Sequence, residues 1–270
     1  MNASITVVAW SATLAMLAAP LYAADGILIA QKTTSGASTS SSVLQIEKTR
    51  MRAEMVDPSG RKRMVVFDGN AQVLRIIDDA AKTYTEITKA DVDAISEQMA
   101  GAMAMMQQQM ANLPPEQRAQ AEALMRGRGA ALGAAAAATK TEYTKLGTDH
   151  VGKWTCDKYE ARRSGSRTSE ICTVDPKVLG FTAADFEVTK QFGEFFGKLM
   201  PGQIDSMIRM GMGEEKGFSG LPVRIVSGGA SPNVTEVTDA TRQNFPDALF
   251  AVPAGYQKQA FAGGRGRGRQ

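Results

Sequence analysis

Histidine and cysteine are scarce, with one His and two Cys in 270 residues. That leaves little for a metal hydrolase or a thiol enzyme, which need clusters of such side chains. Two Cys are also too few for a disulfide-dense mini-domain, and 43% hydrophobic residues are too many for a disordered chain. Charge of one sign is lacking as well: 31 Lys+Arg face 28 Asp+Glu, and Arg265, Arg267 and Arg269 at the C-terminus account for the whole excess of +3. The body without them is neutral, which argues against a nucleic-acid binder and its basic face. No segment after residue 24 is apolar for long enough to span a bilayer.

What is present first is an address. Residues 1–24 carry Ile5, Val7, Val8, Trp10, Leu14, Met16 and Leu17, no charge, and a close on Leu21-Tyr22-Ala23-Ala24. An apolar stretch of this length ending in small residues reads as a signal peptide cleaved near Ala24. The expected mature protein starts near Asp25, is exported to the periplasm or secreted, and has no transmembrane span. The two cysteines fit such a compartment, because Cys156 and Cys172 flank Arg163-Ser164-Gly165-Ser166, which is turn chemistry. A hairpin centred on Ser164 would set them directly opposite each other, so a structural disulfide is expected.

Strand patterns fill the first third, at 26–34, 43–56, 61–67, 72–77 and 82–87, separated by short Asp-, Gly- and Pro-bearing turns. Such close spacing predicts antiparallel neighbours. Within 43–56 the apolar phase shifts from Leu44 and Ile46 to Met51, Ala53 and Met55, and a bulge near 47–49 would restore one apolar face. The period then becomes helical. Thr88 and Asp91 form a cap signal, followed by Val92, Ile95, Met99, Met103, Met106 and Met110. Pro114-Pro115 ends this helix, 116–126 predicts a second, and 126–138 is an Ala/Gly-rich linker. Strands resume at 141–146, 153–161 and 167–174. Thr182 and Asp185 cap a helix carrying Val188, Phe192, Phe195, Phe196 and Leu199, and 200–212 predicts a Met-rich helical turn or two. Strands at 221–227 and 233–241 lead to 245–257. Two strand blocks, each followed by helices and without a βαβ rhythm, predict an α+β fold: one curved antiparallel sheet with helices over one face. The expected organisation is a single domain over 25–258, a Met/Ala-rich helical insertion at 89–138, and a disordered Gly/Arg tail at 259–270.

The order of these blocks, the Cys156/Cys172 hairpin, Gly220-Leu221-Pro222-Val223-Arg224 and the closing Phe250-Ala251-Val252-Pro253-Ala254-Gly255-Tyr256 resemble an exported bacterial family known as a domain of unknown function. That family is similar in fold to the periplasmic lipoprotein carriers LolA and LolB. The resemblance implies an incomplete β-barrel with a helical lid over an apolar cavity for acyl chains, across about 25–257. The long Met- and Ala-rich insertion departs from the carriers, and fold alone does not decide function.

Two of the 15 methionines precede Asp25, and eight of the rest fall in two clusters: Met99, Met103, Met105, Met106 and Met110, then Met207, Met210 and Met212. They read as core packing of an amphipathic helix, as an adaptable lid over an apolar ligand, or as thioethers for Cu(I). His150 beside Asp149 reads as a surface turn rather than a catalytic dyad. The glycine-bearing stretch 211–217 lacks the Lys-Ser/Thr of a phosphate loop. No nucleophile, zinc or cofactor fingerprint is present, so the expected protein is no enzyme and needs no cofactor. The reading is an extracytoplasmic binding protein for a lipid or other apolar ligand. Val92, Ile95, Met99, Met103, Met106, Phe192, Phe195 and Phe196 are expected to line or cover the cavity. The alternative is a module with a self-filled cavity that senses or binds an envelope protein.

Overall fold

The computed structural model describes residues 25–112, 114, 117, 141–163, 165–199, 217–228 and 231–261; for Met103 and Leu199 it describes the backbone alone. The expected signal peptide, the second helix at 116–126 apart from residue 117, the linker at 126–138, the Met-rich turns at 200–212 and nearly all of the Gly/Arg tail lie outside the described residues.

Six strands form a meander: β1 (Gly26–Ser35), β2 (Ser38–Ile46), β3 (Arg50–Val56), β4 (Lys62–Asp68), β5 (Val73–Asp78) and β6 (Thr83–Thr88). Helix α1 (Lys89–Ala111) follows, then a second meander of β7 (Glu142–Val151), β8 (Trp154–Arg163) and β9 (Ser166–Val174). Two 3₁₀ turns and helix α2 (Glu187–Leu199) precede β10 (Leu221–Ser227) and β11 (Asn233–Gln243), and the chain closes with a short β12 (Gln257–Gln259). Among the described residues twelve strands make one sheet in the order β12-β6-β5-β4-β3-β2-β1-β11-β10-β9-β8-β7. Every pairing is antiparallel except β12 with β6. Its two ends, β7 and β12, do not meet, so the sheet is open.

Local chemistry explains the reversals. The side chain of Asp68 accepts the Ala71 amide at 2.9 Å, and Asp78 accepts that of Ala81 at 3.0 Å. The same turn is thereby used twice, and each ends on a left-handed non-glycine residue, Gln72 or Lys82. The phase shift at 47–49 is a chain reversal rather than a bulge. Glu47 N–H donates to the Arg50 carbonyl at 2.9 Å, and Leu44 and Ile46 face Ala53 and Met51 across the hairpin. A hairpin and a bulge both return apolar residues to one face, so period alone does not separate them. Bulges occur instead in β1/β11, β7/β8, β8/β9 and β9/β10.

One face of the sheet carries the main core, in which Ile27, Ile29, Ile46, Phe67 and Leu74 meet Val92 of α1 and Val188, Phe192 and Phe195 of α2. On the opposite face, residues 245–256 run as a strap. Phe250, with Phe245, Leu249 and Tyr256, packs on Met64, Val66 and Ile77. A third cluster sets Phe218 against Tyr159 and Ile171. Among the described residues helices thus cover only part of one face, and the sheet dominates.

Candidate functional site

The expected lining residues lie on α1 and α2, which pack against each other over the β3–β6 half of the sheet. Helix α1 starts where the sequence says it should. Asp91 accepts from the Thr88 amide at 2.8 Å and the Thr88 hydroxyl at 2.7 Å, completing a reciprocal cap. The Thr88 hydroxyl, then its amide, hold the Asp91 carboxyl below its ordinary value. Lys89 and Lys198 both reach Asp93, the latter at 3.5 Å, tying α1 to α2.

The structure splits the expected set in two. Val92, Phe192 and Phe195 are buried, and Ile95 and Phe196 are half-buried. The ring of Phe67 meets Phe192 at 5.4 Å and Phe195 at 5.3 Å, while Phe192 stacks on Phe196 at 5.7 Å. These rings form an aromatic seam between sheet and α2. Met99 and Met106, by contrast, are 40% and 42% exposed, and their neighbour Met105 is 66% exposed. Beyond Ile95 the helix therefore leaves the body of the protein, with Met99, Met105 and Met106 exposed and Met110 half-buried. The Met103 side chain, and Met207, Met210 and Met212, lie outside the described residues.

The disulfide joins Cys156 to Cys172 at an S–S distance of 2.04 Å, with their Cα atoms 5.5 Å apart. They are not direct cross-strand partners. Cys172 faces Lys158, because the turn pairs Arg163 with Ser166 and the bulge between Ala161 and Arg162 adds one further step of register, which makes the bridge diagonal. His150 belongs to strand β7 rather than to a turn, with its Nδ1 3.2 Å from the Thr155 hydroxyl. Among the described residues no three His, Cys, Asp or Glu side chains gather in a way that could hold a metal ion.

A cleft of ≈ 320 Å³ that no sequence motif announced lies on the opposite face, between β3–β5 and the strap. Its floor includes Arg52 and Lys62, and its roof Leu249 and Pro253. The available signal was the alternation Met51-Arg52-Ala53-Glu54, which puts two charges on the face away from the core.

No curated protein matches the chain. Among solved structures it is similar to an uncharacterized conserved protein from Thermus thermophilus, at 8% identity and a TM-score of 0.46, over 88% of this chain and 91% of that one. A match over residues 88–256, from the start of α1 to the end of the strap, places the chain in the family described as Domain of unknown function (DUF4412).

Proposed function

We propose that the protein is a non-catalytic, extracytoplasmic binding protein that takes an acyl chain or similar apolar ligand against helix α1, beside the aromatic seam. The carrying observation is the exposure of Met99, Met105 and Met106 on one helix whose root is anchored by Val92. Thioethers are flexible and polarizable, so a surface of this kind adapts to ligands of variable shape. The disulfide supports an oxidising compartment. Among the described residues no helix is long and apolar enough to cross a membrane. The open sheet bearing helices on one face supports the likeness to LolA and LolB.

A second reading has its own support. Phe192 and Phe195 already occupy the space over Phe67, so the seam is filled by the protein's own rings. That favours an envelope-protein interaction or sensor module presenting the same methionines to a protein surface.

The test is a titration of the mature protein with cis-parinaric acid, read by fluorescence. A saturable signal is expected, weakened about tenfold or more in the Met99→Asp/Met106→Asp double variant, because it puts charge into an apolar contact. Both side chains are exposed, so the variant keeps its fold. No saturable signal, or an unchanged affinity in the folded variant, overturns the acyl reading in favour of the interaction module.

A further inference from the structure

The cleft beneath the strap is a different kind of place from the methionine helix. Arg52 stands on its floor with only 7% of its surface exposed. Its Nη1 donates to Gln45 Oε1 at 2.7 Å and its Nη2 to Glu54 Oε2 at 2.5 Å and to Met64 Sδ at 3.0 Å, so the guanidinium is held rigidly in place. Lys62 donates to the other oxygen of the same Glu54 at 2.7 Å. Burial pushes the Glu54 carboxyl up, but the hydrogen bonds from Lys62 and Arg52 outweigh it and hold the group below its ordinary value. Glu54 is therefore charged, and one anion serves two cations.

The second carboxylate of the cleft, Asp79, is already engaged. The Tyr256 hydroxyl donates to it, and Lys82 lies 2.9 Å away. Those contacts hold it below its ordinary value, and Tyr256 becomes a fixed end wall. Setting Asp79 against Lys82, and Glu54 against one of its two cations, leaves a surplus of one positive charge in the cleft. The guanidinium has five N–H donors, of which three are given to Gln45, Glu54 and Met64, so its remaining donors and the Lys62 ammonium can meet a carboxylate by single charge-assisted hydrogen bonds. Met64, Ile77, Leu249 and Pro253 supply apolar walls around it. The volume of ≈ 320 Å³ is at the small end of the about 300–1,000 Å³ usual for small-molecule sites. It accommodates a short body rather than a long chain.

We propose that this cleft, formed by Arg52, Lys62 and the strap, is a binding site for a small monocarboxylate with a short apolar body. The site is separate from the methionine helix and independent of what binds there.

The probe is hexanoate, titrated into the full mature chain carrying ¹³C-methyl methionine and followed by NMR. The expected result is a saturable shift of the Met64 methyl, while the Met99 and Met106 methyls stay in place. Hexanol should bind about tenfold or more weakly, since it offers no charge to Arg52. Ala251→Trp puts a ring at the mouth of the cleft from an exposed position and should abolish the shift. Arg52→Gln should weaken binding about tenfold or more. A Met64 methyl that does not move up to millimolar hexanoate overturns the proposal, as does equal affinity for hexanol. Retained binding in folded Ala251→Trp overturns it even if Arg52→Gln fails to fold. Shifts confined to Met99 and Met106 would place hexanoate on the helix, overturning the cleft while leaving the acyl reading standing.

Discussion

Gly220 introduces β10 with φ +95°, and a Cβ there would lie 2.7 Å from the Val174 carbonyl oxygen. No side chain fits that approach, and the left-handed backbone adds strain of its own for any other residue. Gly220→Ala is expected to lower the unfolding free energy by about 2–3 kcal/mol, measured as a urea midpoint shift at constant slope. An unchanged midpoint would mean that the β9–β10 junction relaxes freely. Lys82 adopts a similar backbone without being glycine, at φ 51°, and is held there by Asp79 and by the ring and hydroxyl of Tyr256. The strap thus helps maintain a turn about 170 residues earlier in the chain, an |i−j| of 174.

Helix α1 shows how unevenly one element can be held. Its start is capped by Thr88 and Asp91 and anchored by Val92, whereas its C-terminal half has little buried surface. Most helical stability in proteins comes from packing an apolar face, so the cap has more weight here than in a well-buried helix. Thr88→Ala is expected to cost about 1 kcal/mol and to speed amide exchange in α1 more than in α2. Equal protection of α1 in the variant and the parent would show that the cap is dispensable. Helix α2 contrasts with it, because Val188, Thr189, Phe192 and Phe195 are all buried and the Thr189 hydroxyl donates to the Phe186 carbonyl at 2.6 Å.

Across the molecule, the shifted carboxyls among the described residues all move downward. The Ser59 hydroxyl and the Arg61 amide hold Asp57 at about 2. Burial pushes Asp185 up, but Arg242 at 2.5 Å and the Thr182 cap outweigh it. Groups whose folded pKa lies below the unfolded one contribute stability above the ordinary carboxylate range and lose it as pH falls through the folded values. Urea midpoints are therefore expected to stay level from neutral pH down to about pH 5 and then to fall steadily toward about pH 2. A midpoint that rises on acidification would contradict this linkage. The disulfide closes a separation of 16 residues, a constraint worth about 3 kcal/mol in the chain-entropy account.

Several features were legible in the chain because their causes are local. The caps at Thr88 and Thr182, the hairpin turns at Asp68 and Asp78, and the alternation of β1 and β4 each depend on residues within a few positions. The cysteine pair was legible too, but its diagonal placement was not, since the turn centre and one bulge residue each move the register by one position. The division of the expected lining residues into a buried seam and an exposed helix could not be read from spacing. Met106 and Phe192 both sit at helical intervals, and only the place where α1 leaves the sheet separates them. The cleft was hidden for a similar reason. Arg52 and Leu249 lie far apart in the chain and meet because residues 245–256 fold back over β3–β5. Local hydrogen bonding and side-chain period therefore set the elements, whereas the burial of Arg52 and the exposure of the methionines depend on long-range packing.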